Sequence, residues 1–193
     1  DTRIAFSGSD ATAGGQAAAQ AIADFTGGEG TVGIITGYLT MNQHEERRIS
    51  MTEKLQELCP NLTILEPVEA HDSTTETYDA AVNLITGYDD LKAIYCTAGG
   101  PFGAAQAVQD QGKTGEIGVV CFDWVPDVVR YVASGEIVAA VSQDPQAMAF
   151  NALATCYNYI VAGVEPESTH LLTESDILTP DNLAEKLPDY VAE

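Results

Sequence analysis

An α/β fold with a parallel sheet and helices on both faces is the architecture this sequence predicts, and three observations predict it. Short apolar, β-branched runs alternate with longer helical patterns along the 193 residues. Several of those runs lack the in-and-out alternation of a strand wetted on one side, so they read as strands covered on both faces. The connections are short, and strand–helix alternation with short connections builds right-handed βαβ units.

In chain order, the first strand is expected at Ile4–Ser7. An Ala-rich helix, Thr12–Phe25, follows and stops at Gly27-Gly28, residues suited to a helix C-terminus. Strand Val32–Thr36 leads to helix Glu45–Leu58, which ends before Pro60. After strand Leu62–Glu66, Ser73 and Glu76 stand at capping-box spacing at the head of helix Ser73–Thr86. Strand Ala93–Thr97 precedes helix Phe102–Gln111, closed by Gly112. Strand Ile117–Phe122 precedes helix Pro126–Ser134, whose proline occupies the first turn, where its missing N–H does no harm. Strand Ile137–Ser142 comes next, and Asp144-Pro145 caps and starts helix Gln146–Ala162. No fixed-period repeat and no low-complexity linker interrupts this order.

Composition narrows the function classes. Apolar residues make up 45%, which is a globular composition. Against 29 acids stand 8 Lys and Arg, a net charge of −21. The clustered cations that neutralise nucleic-acid phosphate are missing, as is a basic membrane-binding face. No stretch reaches the apolar length of a membrane span. The chain opens "DTRIAFSGSD", without an initiator Met, and reads as a mature or trimmed fragment. Its four cysteines, Cys59, Cys96, Cys121 and Cys156, show no CxxC spacing and no nearby His pair, so no zinc or other metal site is expected. Cys96 and Cys121 lie inside apolar strands and read as small buried hydrophobes. An exported protein could pair its cysteines, and four allow three pairings.

In a sheet of this kind ligands bind at the carboxyl ends of the strands. That rule selects Gly37-Tyr38, Thr97–Gly100, Asp123 and Gln143, each just after a strand. Asp123 ends the greasy run "GVVCF"; its structural alternative is an N-cap for Pro126–Ser134, from slightly too far upstream. Gln143 could simply open the turn before Asp144. Arg47 stands early in its helix, where an exposed ion pair is the alternative reading. A carboxylate accepts hydroxyl protons, an amide donates and accepts, and a guanidinium donates in a planar fork, a trio suited to an uncharged polyhydroxylated ligand. Trp124 and Tyr38 offer ring faces to a sugar's C–H surface, or pack in core and rim.

Catalytic patterns are weak. His44, His71 and His170 lie in separate segments, and there is no GxSxG, HExxH or P-loop. "GGEG" at 27–30 reads as a helix-ending turn. "TAGGPFG" at 97–103, which holds Gly99, lets a ligand approach the backbone closely, with anion binding through backbone N–H groups as the alternative. Neither an enzyme nor a cofactor is expected.

"GSDATAGGQAAAQAI", "HEERRISMTEKL", "VVCFDWVPD" and "AAVSQDPQAMAF" together resemble, in order and over nearly the whole chain to about Thr173, the periplasmic sugar-binding proteins of the ribose-binding type. Those proteins share their type I fold with the effector domains of lac-repressor-type regulators. The resemblance implies a Rossmann-like three-layer lobe, with Arg47, Asp123 and Gln143 on the family's ligand-binding arginine, aspartate and glutamine. Ala11 departs from the family's usual Asn, and Ser50-Met51 from its Gly-Phe. In "CTAGGPF" a sugar-binding Asn is replaced by Ala98 or Gly99, so the substrate is expected to differ from ribose.

The resemblance also implies a domain plan. Residues 1–143 would form the carboxyl-terminal ligand-binding lobe, 144–167 the returning helix that packs on an amino-terminal lobe preceding Asp1, and 168–193 a tail strand and short helix. The helix "QAMAFNALATCYNYIVAG" is apolar on nearly every face and needs partners all round. Self-association or swapping through Gln146–Ala162 is therefore expected of the isolated fragment, with the helix folding back on its own lobe as the alternative. The implied function is the solute-binding component of an ABC importer, taking a sugar or polyol by hinge closure and handing it to the permease. Such a protein is periplasmic or extracellular, with a lipid anchor as one form. The alternative is an effector or sensor lobe of a transcription regulator or signalling receptor.

Overall fold

The computed structural model describes residues 3–190. In chain order the elements are β1 (Phe6–Ser9), α1 (Ala11–Thr26), β2 (Thr31–Thr36), α2 (Asn42–Leu58), β3 (Thr63–Ile64), β4 (Val68–Glu69), α3 (Thr74–Gly87), β5 (Leu91–Cys96), α4 (Pro101–Asp110), β6 (Gly118–Phe122), α5 (Pro126–Ser134), β7 (Ile137–Val141), α6 (Pro145–Tyr157), β8 (His170–Thr173), β9 (Ile177–Leu178) and α7 (Leu183–Lys186). A π-helical turn, Asn158–Ala162, continues α6. These elements form two compact units. The larger holds Ala11–Ser142 and the described residues from Ile177 onward; the smaller holds the described residues up to Asp10 and Gln143–Asp176.

The larger unit is built on a sheet of order β3-β2-β5-β6-β7-β9, with β4 also beside β2. Every pairing is parallel except that of β9 with β7. Each residue of β2 and of β6 is buried, as a strand covered on both faces requires. Alternation then sorts the core into two layers. Val119 and Cys121 join one cluster with Ala81, Leu84, Ala104, Val108 and Val132 from α3, α4 and α5. Val120 and Phe122 join the other with Ala18, Ile22, Met51 and Leu55 from α1 and α2. Cys96 and Cys121 are buried among these side chains, and burial raises both thiol pKa values, that of Cys96 to about 12.

The expected elements differ mainly at their edges. The strand read over Leu62–Glu66 shrinks to the two residues of β3, and a second two-residue strand, β4, follows beyond it. Pro67 lies between them and has no N–H to give the ladder, so pairing with β2 lapses and resumes at Val68. The capping box at α3 is half formed. Ser73 Oγ accepts from the Glu76 N–H at 3.3 Å, but the Glu76 carboxylate meets His71 Nδ1 at 2.7 Å. At α6, Asp144 caps as expected, its Oδ1 accepting from the Ala147 N–H at 3.0 Å.

In the smaller unit β1 and β8 pair in parallel, Phe6 opposite His170 and Ser9 opposite Thr173. Ser7 Oγ donates to the Met148 carbonyl at 2.9 Å and ties α6 to that ribbon. No residue of α6 or of the π-helical turn is buried; Phe150, Leu153 and Ile160 are 71%, 73% and 78% exposed. A two-stranded ribbon is too narrow to cover a helix that is apolar all round.

Candidate binding site at the carboxyl ends of β2, β5 and β6

The chain leaves β2 at Gly37, β5 at Thr97 and β6 at Asp123. Arg47 reaches this rim from the second turn of α2. It can do so because α2 crosses α1 very closely at Gly15, which has no side chain to hold them apart: a Cβ there would overlap Ser50 Oγ and stand 2.5 Å from the Arg47 carbonyl. Only 4% of Arg47 is exposed. Its Nη1 donates to the Thr97 carbonyl at 3.0 Å, and its guanidinium lies 3.9 Å from the Phe122 ring centroid, a cation–π arrangement. Burial lowers its pKa, and Tyr95 and Asp123 oppose that shift. The Tyr95 hydroxyl, itself buried and raised in pKa, donates to the Arg47 carbonyl at 3.4 Å. An ion pair instead joins its neighbour Arg48 to Glu45, half-buried, at 2.8 and 2.9 Å.

Asp123 has φ 70°, in the left-handed region. Aspartate tolerates that region better than most residues, and such backbone concentrates at functional sites. Its N–H donates to the Val141 carbonyl at 2.8 Å. It does not cap α5: Val125 holds the N-cap position, with no side-chain bond. Trp124 sends its indole N–H to the Ala140 carbonyl at 2.8 Å and packs against the α3–α5 layer. It also lines a cavity of about 420 Å³ with Val129, Leu187 and Tyr190.

Tyr38 is 37% exposed and meets the His71 ring edge-on at 5.2 Å. Its N–H donates to His44 Nδ1 at 3.3 Å. Gly99 gives its N–H to Asp72 Oδ1 at 3.0 Å, and the hydroxyls of Thr36 and Thr97 are 2.7 Å apart. Arg47, Asp123, Tyr38 and Gly99 thus share one rim. Gln143 belongs to the smaller unit, where its Oε1 accepts from Ser9 Oγ at 3.0 Å and its carbonyl from Thr173 Oγ1 at 2.7 Å.

Sequence reasoning missed Asp72 and His44, while Thr97 fell within the strand-end stretch it selected. The two histidines it kept apart, His44 and His71, both adjoin Tyr38. The available signal was "HDS" before a helix, where His71 and Asp72 both take positive φ. Among the described residues no group of three His, Cys, Asp or Glu could hold a metal ion.

Residues 1–163 match the periplasmic binding protein domain. The chain belongs to that family. The D-allose-binding periplasmic protein of Escherichia coli (strain K12) is 34% identical over 143 residues, which are 73% of this chain and 46% of that protein. GanP, a glucose-galactose binding protein from Geobacillus stearothermophilus, superposes with a TM-score of 0.87 at 27% identity, over 95% of this chain and 65% of its own. An ABC transporter solute binding protein from Actinobacillus succinogenes 130z, solved with bound D-allose, has a TM-score of 0.87 at 20% identity, over 94% of this chain and 64% of its own, and so shares the fold. The chain therefore spans under half the length of the curated relative and about two thirds of these solved ones. The family and fold implied by the sequence resemblance are those found.

Proposed function

We propose that the protein carrying this chain is a periplasmic or extracellular sugar receptor of an ABC importer, closing two lobes around a monosaccharide and delivering it to the permease. It binds and does not catalyse; a lipid anchor is one way of holding it near that permease. The observation that carries the reading is the buried Arg47 guanidinium set over Phe122 and within electrostatic reach of Asp123. A fixed fork of donors beside a carboxylate suits neighbouring sugar hydroxyls, and charged partners make the stronger bonds. Support for a sugar comes from relatives named for allose and for glucose and galactose. Tyr38, Trp124 and Gly99 complete the proposed lining, and the proposal extends to Gln143.

The test is calorimetry and thermal shift on the full-length protein with D-allose, D-glucose, D-galactose and D-ribose. A sugar at one hundred times its Kd stabilises by about 2.7 kcal/mol, a rise of roughly 5–10 °C for domains of this size. Asp123→Ala abolishes the rise. A rise that survives the substitution refutes the assignment. For the 193-residue chain alone, the exposed apolar faces of α6 support self-association through Gln146–Ala162.

A further inference from the structure

Asp72 is a carboxylate at this rim that neither the sequence motifs nor the family resemblance assigns. It follows β4 in the left-handed conformation, φ 56°, and is exposed. Its carboxylate stands between two glycines on two different strand ends. A Cβ on Gly37 would lie 2.9 Å from Asp72 Cγ and 2.8 Å from His44 Cε1. A Cβ on Gly99 would lie 3.2 Å from Asp72 Cβ and 3.5 Å from its Cγ. Neither glycine has positive φ, so backbone conformation does not require them; Asp72 fills the space at Gly99 and shares that at Gly37 with His44. Asp72 Oδ1 takes the Gly99 N–H at 3.0 Å, which fixes the carboxylate at the turn where the family resemblance had expected a side-chain ligand and the chain has Ala98 and Gly99.

We propose that Asp72 is a specificity-determining residue of the sugar site, a second carboxylate that reaches across from β4 and stands in for the side chain absent at 98–99; the inference rests on the sugar-receptor reading above. One oxygen is held by Gly99, and the carboxylate keeps acceptor capacity for a ligand hydroxyl. An acceptor-only group selects hydroxyls whose O–H bonds point at it, so it distinguishes epimers. With Arg47 and Asp123, it gives the rim one cation and two anions, which favours a neutral sugar over a phosphorylated or acidic one.

The test measures the affinities of the full-length protein for D-allose, D-glucose, D-galactose and D-ribose in wild type, Asp72→Asn, Asp72→Gly and Asp123→Ala. Asn tolerates positive φ and keeps an oxygen for the Gly99 N–H, so Asp72→Asn preserves the turn while removing the charge. Asp72→Asn weakens the best sugar about tenfold and Asp72→Gly roughly ten- to a hundredfold, from the strength of a charge-assisted bond. Both variants change the ratio between D-allose and D-glucose, which differ at one hydroxyl; a carboxylate that only braced the turn would leave that ratio alone. Wild-type affinities and ratios in Asp72→Asn, with binding lost in Asp123→Ala, overturn the inference and leave the sugar-receptor reading standing. Failure of the wild type to bind any of the four overturns both.

Discussion

Replacing Gly15 by Ala tests whether the close crossing of α1 and α2 is what sets Arg47 in place. The added Cβ lies 2.5 Å from the Arg47 carbonyl and 3.1 Å from the Met51 N–H nitrogen, where ordinary contact begins at 3.4 Å. Ser50 Oγ can rotate away, but the Arg47 backbone cannot, so α2 must retreat by about 0.9 Å at that carbonyl. Overpacking of this kind costs about 1–3 kcal/mol. Alanine returns about 1 kcal/mol through helix propensity. The net loss is up to about 2 kcal/mol, and the midpoint of unfolding falls by roughly 4–8 °C. Sugar affinity falls with it, because the guanidinium moves relative to Phe122 and the Thr97 carbonyl. Circular dichroism melts and calorimetric titrations measure the two effects. Gly87→Ala is the control: it ends α3, is exposed, and its Cβ meets nothing within 4 Å, so its midpoint holds or rises. A Gly15→Ala protein that melts no lower than wild type and binds sugar equally well refutes the reasoning.

His44 and His71 titrate on opposite sides of their ordinary value of 6.5, a difference visible in imidazole C–H shifts by NMR. Burial lowers His44, with Asp72 pulling the other way; the hydrogen bond to Glu76 raises His71. Stability from a neutral, buried His44 is present above pH 6.5 and lost as pH falls through its lowered value. The His71 contribution runs the other way, present below 6.5 and lost as pH rises through its raised value, and it is small because the pair is exposed. The reverse order of titration contradicts the geometry. For the isolated chain, sedimentation at tens of micromolar gives species heavier than a monomer, and Leu153→Glu with Ile160→Glu restores the monomer; a monomeric wild type refutes association through α6.

Much of the larger unit was legible because its signals are local. Proline at the start of α5 and the glycines after α1 and α4 act within a few residues, and unbroken apolar strands reveal a sheet covered on both faces. The carboxyl ends of those strands then located Tyr38, Gly99 and Asp123. Asp72 was not legible. Its importance comes from space left by Gly37 and Gly99, residues 35 positions before it and 27 after it, and no spacing rule joins them. The return of pairing at β4, beyond Leu62–Glu66, also depends on how far β2 extends beside it.

Strand parity, and its break at Asp123, bear on how Arg47 and Asp123 come within electrostatic reach of each other. Along β6 the side chains alternate, so that Val120 and Phe122 face α1 and α2 while Val119 and Cys121 face α3, α4 and α5. Phe122 is therefore the last side chain of the strand on the side from which Arg47 comes, and its ring is what the guanidinium covers. Continued alternation would send the next side chain, Asp123, to the opposite layer. The left-handed backbone at Asp123 breaks that alternation, and the carboxylate stays within electrostatic reach of Arg47. A slip of one residue in the register of β6 would put Cys121 where Phe122 lies and leave the arginine over a thiol with no ring to receive its charge. The apolar run "GVVCF" thus does more than fill the core: its length and parity decide which face the chain leaves from, and so which helix can answer the acid that follows.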